Sequence, residues 1–170
     1  MLNKEISHLL NNQVKNEFYS AYLYLDFSNY YYNKGLDGFG NWFKVQAMEE
    51  KDHAIVFIQY LQNNGEDVKL ETIKAPDSKK EGIIEILNEQ LEHERYVTGL
   101  INNIYSVAHN IKDFRTMQFL DWFVKEQGEE EQNAETLIRR FELFGDDKKG
   151  LYMLDNELKE RTYTPIILPI

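Results

Sequence analysis

Apolar residues recur at helical spacing through four long stretches of this chain, and almost no proline interrupts them. The prolines are Pro76, Pro165 and Pro169, so the stretches before Pro76 and between Pro76 and Pro165 are free to be helical. The first stripe is Ile6, Leu10, Gln13, Glu17, Ala21, Tyr24, Ser28, on a helix expected from about Asn3 to Asn33. The second is Phe39, Phe43, Ala47, Glu50, Ala54, Phe57, Leu61, on a helix from about Asp37 to Asn64. The third, expected over about Lys79 to Asn110 behind a Ser78/Glu81 capping box, is Ile84, Leu87, Leu91, Glu94, Thr98, Ile101, Tyr105, Ala108. The fourth is Thr116, Leu120, Phe123, Gln127, Glu130, Ala134, Leu137, Phe141. A short fifth helix, about 147–161, carries Leu151, Leu154 and Leu158.

Connection lengths decide how these helices pair. Few residues separate the first helix from the second, or the third from the fourth, so each pair is an antiparallel hairpin. The middle connection, about 65–78, is different. A 28-residue helix spans about 42 Å at 1.5 Å per residue. A 14-residue linker reaches about 50 Å at full extension. It can just travel the length of the bundle and make the second and third helices parallel. The expected fold is all-α: a ferritin-like four-helix bundle with one long crossover, plus a short C-terminal fifth helix. One domain covers 1–161, and 162–170 form an apolar tail that packs on a neighbour or moves in solvent.

Each long stripe has a carboxylate near its middle, where Leu or Phe would serve packing better. These are Glu17, Glu50, Glu94 and Glu130. An ionised carboxylate inside a bundle is costly without a compensating cation. His53 lies three residues after Glu50, on the same helix face, so Glu50 and His53 can grip one ion. An isolated E-x-x-H match means little; four interrupted stripes at similar depth are hard to explain as packing. Hard oxygen donors with one imidazole suit iron or manganese. Glu50 and Glu130 could bridge two ions. Glu17 and His53 would complete one site, and Glu94 with Gln127 would surround the other.

Composition removes competitors. The formal net charge is -10, with 29 acidic against 19 basic residues, which opposes nucleic-acid binding and favours cations. There are no cysteines, so disulfides and thiolate metal sites are excluded. The N-terminal residues lack a signal core, and no stretch reaches the ~20 apolar residues of a membrane helix. The expected location is the cytoplasm. A zinc protease needs two histidines at i and i+4, and a glycosidase sets its carboxylates across an open cleft.

The stretch Trp122-Phe123-Val124-Lys125-Glu126-Gln127-Gly128-Glu129-Glu130-Glu131 resembles the W-[FY]-x-x-E-Q-x-E-E-E signature of bacterial non-haem ferritins. Asn16 to Tyr24, Glu49 to Ala54 and Glu92-His93-Glu94 resemble the signatures of their first three helices. The resemblance implies that Glu17, Glu50 and His53 bind one iron, and Glu50, Glu94 and Glu130 a second. It implies a third, weaker site from Glu49, Glu126, Glu129 and Glu130. Gln127 would help position oxygen, and Tyr24 would hydrogen-bond near the centre and supply an electron. Twenty-four subunits would form a hollow shell, with the fifth helix at its four-fold axes. The substrates would be ferrous iron and dioxygen or hydrogen peroxide, and the product a stored ferric mineral.

Three departures bear on relatives. A second E-x-x-H would need histidine where Asn133 stands. Lys51-Asp52 occupy the place where a haem-ligating Met is expected, so no haem is expected. Gly128 replaces a residue that is often bulkier in relatives. Blander readings stand beside these. Tyr24 and Trp122 also suit plain core packing. Glu126 to Glu131 also suits a solvated acidic face, and His8, His93 and His109 suit surface or structural roles. A shell whose centre is catalytically silent, and a smaller DNA-protecting relative, are the competing functions. The fifth helix and the missing basic tail oppose the second.

Overall fold

A computed structural model describes residues 2–78 and 82–168. The helices are α1 (Lys4–Asn33), α2 (Asp37–Asn63), α3 (Ile83–Asn110), α4 (Phe114–Phe144) and α5 (Lys148–Leu158). No strand occurs among the described residues. Polar caps start three of them: Asn3 accepts from the Glu5 N–H, Asp113 from Thr116 and Asp147 from Gly150. Gly35 closes the α1–α2 turn at φ +74°, a left-handed conformation that side chains with a Cβ rarely adopt.

The stripes expected for α1 and α2 are buried throughout, and that of α4 is buried except for Phe141, which is half-buried. The α3 stripe is rotated. Leu87, Glu94, Ile101 and Ala108 are buried as expected, but Gln90, Val97 and Ile104 accompany them instead of Leu91, Thr98 and Tyr105. Both series keep a seven-residue repeat, so spacing alone leaves two adjacent faces open. Packing on α1 and α4 selects between them. The α3 helix also begins at Ile83, later than expected. Ser78 donates to Glu89 at 3.4 Å, and Glu81, the other half of the expected capping box, lies outside the described residues.

The crossover climbs the outside of α1. Glu66 accepts from the Leu2 N–H at 3.0 Å and from Ser7 Oγ at 2.8 Å. The Lys69 N–H donates to Asn11 Oδ1 at 2.7 Å, and Lys15 pairs with Glu71 at 2.8 Å. Successive crossover residues thus meet successive turns of α1. The chain is carried to the far end of the bundle, and α3 runs parallel to α2.

Two apolar clusters fill the bundle on either side of a polar middle. One contains Leu10, Phe57, Ile101, Leu120 and Phe123; the other contains Tyr24, Phe27, Tyr31, Phe43 and Leu87. Phe57 stacks on Phe123 with centroids 4.2 Å apart, and each such ring contributes about 1.5–3 kcal/mol on burial. The α5 helix is fixed by Asp155, whose Oδ1 accepts from the Gly38 and Phe39 N–H groups at 2.8 and 3.1 Å. It caps α2, whose own N-cap residue, Leu36, provides no side-chain hydrogen bond. Gly38 permits the approach, because a Cβ there would sit 1.6 Å from the Asp155 carbonyl oxygen.

The tail differs from expectation. Its described part folds back on its own chain, with Ile166 and Leu168 packed against the Phe57 cluster. An apolar, proline-broken segment shows no periodicity, so its docking place is not readable from the sequence. No helix among the described residues is long and apolar enough to cross a membrane.

Candidate metal centre

Glu17, Glu50, Glu94 and Glu130 are 1%, 2%, 1% and 4% exposed, and His53 is 1% exposed. Helical spacing puts each glutamate on the inward face of a different helix, between the two apolar clusters. Glu17, Glu50 and His53 each offer a ligand atom, all within 4.8 Å of one another. His53 Nδ1 lies 3.3 Å from Glu50 Oε2. Glu17 Oε2 and His53 Nε2 are buried with no hydrogen-bond partner. Buried polar atoms are rarely left so. Two orphaned donor atoms of this kind, on residues already gathered, fit a cation.

Glu94 and Glu130 lie outside that three-residue group and are held by other side chains. Tyr24 Oη donates a short hydrogen bond to Glu94 Oε1, and Gln127 Nε2 donates to Glu94 Oε2 at 3.2 Å. Gln46 Nε2 donates to Glu130 Oε2 at 2.8 Å. Gln13 Nε2 donates to Glu17 Oε1 at 2.7 Å.

The electrostatics describe a site built for positive charge. Burial pushes the Glu17 carboxyl up to about 8, and Glu50 beside it adds to the rise. Glu50 is raised well above the usual range by burial and by Glu94 and Glu130. Glu94 rises by burial and by Glu130, against the hydrogen bonds from Tyr24 and Gln127. The Tyr24 phenol is driven well up by burial and by Glu94. Without a cation, Glu17, Glu50 and Glu94 favour their protonated forms.

The residues of the expected third site lie at the edge of the bundle. Glu49 and Glu126 are half-buried, and Glu129 is exposed. Burial pushes Glu49 up; Arg161 pulls it down, and Glu130 and Glu126 add to the rise. Burial likewise raises Glu126, with His53 opposing and Glu130 and Glu129 reinforcing. Lys125 pairs with Glu129 at 3.2 Å.

Three amides at the centre have no role that the sequence pattern assigns. Gln46 and Gln90 are fully buried one turn before Glu50 and Glu94, and Gln13, a member of the expected stripe, stands one turn before Glu17. A glutamine four residues before each of these glutamates is the signal that could have found them. Trp122 packs edge-on to His53 at 5.5 Å. His93 is half-buried against Ser20 Oγ at 2.7 Å, and burial lowers it to about 4.

Residues 7–144 match the Ferritin-like domain family. The chain is 38% identical over 163 residues to a bacterial non-heme ferritin of Staphylococcus epidermidis, covering 96% of this chain and 98% of that protein. It is 36% identical over 159 residues to one from Campylobacter jejuni, covering 94% and 95%. Among solved structures, a closed form of the Archaeoglobus fulgidus ferritin engineered by site-directed mutagenesis superposes with a TM-score of 0.94 at 37% identity, covering 96% of this chain and all of that one. An open-pore ferritin from the same archaeon superposes at 0.93 with 38% identity, over 95% of this chain and 100% of that one. With its bundle, its crossover and its buried carboxylate centre, the chain belongs to the ferritin family, on the bacterial non-haem side.

Proposed function

We propose that this protein stores iron by oxidising ferrous ions at an intrachain di-iron ferroxidase centre and keeping the ferric product as an oxyhydroxide mineral inside a hollow shell. Glu17, Glu50 and His53 would hold one ion, and Glu50, Glu94 and Glu130 the other, with Glu50 shared. Glu49, Glu126, Glu129 and Glu130 would form a third, weaker site. The observation that carries this reading is the convergence of Glu17, Glu50 and His53, with Glu17 Oε2 and His53 Nε2 buried and unpartnered.

Each ferrous ion gives one electron to the oxidant, dioxygen or hydrogen peroxide, and two ions side by side give two. The carboxylates are suited to this because their negative charge favours the ferric over the ferrous state. Entry of a cation displaces the protons that burial holds on Glu17, Glu50 and Glu94. Gln127 steadies Glu94 and would lie beside the second ion to help position oxygen. Tyr24, hydrogen-bonded to Glu94, would supply an electron. A cytoplasmic shell of twenty-four subunits, with α5 at its four-fold axes, is the assembly implied by the resemblance. A shell would give the mineral an enclosed space.

Stopped-flow absorbance of apo-protein mixed with two ferrous ions per chain and oxygen tests the reading. A fast phase that saturates near two irons per chain is expected. Oxidation at the buffer's own rate would make the centre a passive binding site.

A further inference from the structure

The tail after α5 does more than finish the fold. It leaves Leu158 with its backbone held by Asn41, whose Nδ2 donates to the carbonyls of Leu158 and Arg161 at 3.2 and 2.9 Å. Arg161 then lies over the Trp42 ring, 4.1 Å from its centroid. Its Nη2 donates to Glu49 Oε2 at 2.5 Å, and both side chains are about one-fifth exposed. Two residues on, Tyr163 Oη and then the Ile166 N–H both donate to Asp52 Oδ2, at 2.5 and 3.1 Å. Ile166 and Leu168 finally settle against the apolar cluster beside Trp122, the ring that packs on His53.

Trp42, Glu49 and Asp52 lie along one face of α2, seven and three residues apart. The tail is thus a strap laid along α2, and its one guanidinium is seated on a carboxylate of the third site. Resting on the function proposed above, we infer that Arg161 is a positioning residue that acts as a built-in counter-cation for Glu49. The third site accepts a metal ion only as Arg161 lets go.

The physical reason is competition for one carboxylate. Arg161 and a metal ion both neutralise Glu49, and the guanidinium's hydrogen bond to Oε2 engages one of the two oxygens that the carboxylate could offer an ion. The two states are linked, so whatever factor Arg161 costs the third ion, the third ion costs the strap. The contacts at Trp42 and Asp52 raise the effective concentration of Arg161 at Glu49. None of the described strap residues hydrogen-bonds Glu17, Glu50, His53, Glu94 or Glu130, so the two buried sites should fill without moving it. Iron at the third site would then free the tail.

The test uses full-length apo-protein and zinc, a redox-inert divalent probe. Calorimetry follows zinc binding to the intact chain, to Arg161→Gln and to Arg161→Lys. Hydrogen exchange and tryptic cleavage at Arg161 report on the tail of the intact chain. The expected result is two tight ions in all three proteins. A third should bind about tenfold tighter in Arg161→Gln than in the intact chain, and Arg161→Lys should fall between. In the intact chain, protection of residues 160–168 should be lost only as the third ion binds. Equal third-ion affinity in the intact chain and Arg161→Gln, absence of a third ion from both, or a tail that stays protected when it binds would each overturn the proposal. Failure of the two tight ions would instead remove the di-iron reading, a result visible in the same titration before the third ion enters.

Discussion

Gln46 on α2 reaches across the bundle to Glu130 on α4, its Nε2 donating to the carboxylate at 2.8 Å while its own Oε1 stays buried without a partner. The bond holds one Glu130 oxygen and so orients the carboxylate. An outer partner of this kind commonly sets ligand orientation, and losing it costs roughly ten- to a hundredfold in metal affinity. Gln46→Leu, of similar volume, should therefore weaken the second buried ion by roughly that factor and leave the first nearly unchanged. Anaerobic calorimetry with zinc would show the change as a split between the two tight steps.

Glu50 is the carboxylate proposed to serve both ions. Glu50→Ala should abolish both tight binding steps and bring ferrous oxidation to the buffer's own rate, as followed by stopped-flow absorbance. Near-normal oxidation would remove Glu50 from the bridging role. Glu94→Ala, by contrast, should spare the step at Glu17 and His53.

The apo-protein should lose stability as pH rises. The Glu17 carboxyl lies near 8 in the fold against an ordinary 4.5. The folded state therefore holds a proton that the unfolded chain releases between those values. The stability that Glu17 contributes is fully present below about 4.5 and is lost as pH climbs through 8, on the order of a few kcal/mol for a group so buried. Thermal melts of apo-protein from about pH 5 to about pH 8.5 should show a falling Tm. Zinc or ferrous iron should remove most of that slope by replacing the proton. A Tm that rises across this range without metal would contradict the electrostatics of the centre.

Asp155 caps α2 from another helix, satisfying the Gly38 and Phe39 N–H groups. Asp155→Ala leaves both without that acceptor and should destabilise the chain by about 1–2 kcal/mol. Urea titration measures it. The buried metal steps should keep their affinities, since Asp155 holds the start of α2 and makes no hydrogen bond to Glu17, Glu50 or His53.

Most of the fold and the buried centre is legible in the sequence. Glu17, Glu50, Glu94 and Glu130 stand out because a charged residue on a buried stripe violates a pattern that packing otherwise enforces. The α3 stripe is only half legible, since Leu91, Thr98 and Tyr105 obey the same repeat as Gln90, Val97 and Ile104. Gln46 and Gln90 are faint taken singly, because a single polar residue on a helix is ordinarily solvated; only their shared place four residues before Glu50 and Glu94 marks them.

Local, periodic information determined the helices, their pairing, the crossover and the four carboxylates. A 3.6-residue period and a linker's reach act within the chain's own neighbourhood. Which face of α3 turns inward, which amide holds which carboxylate, and where Arg161 comes to rest were decided only in three dimensions. Gln46 and Glu130 are 84 residues apart, and Arg161 and Glu49 are 112 apart. Contacts at such separation arise from the packing of whole helices and leave no spacing for a sequence to display.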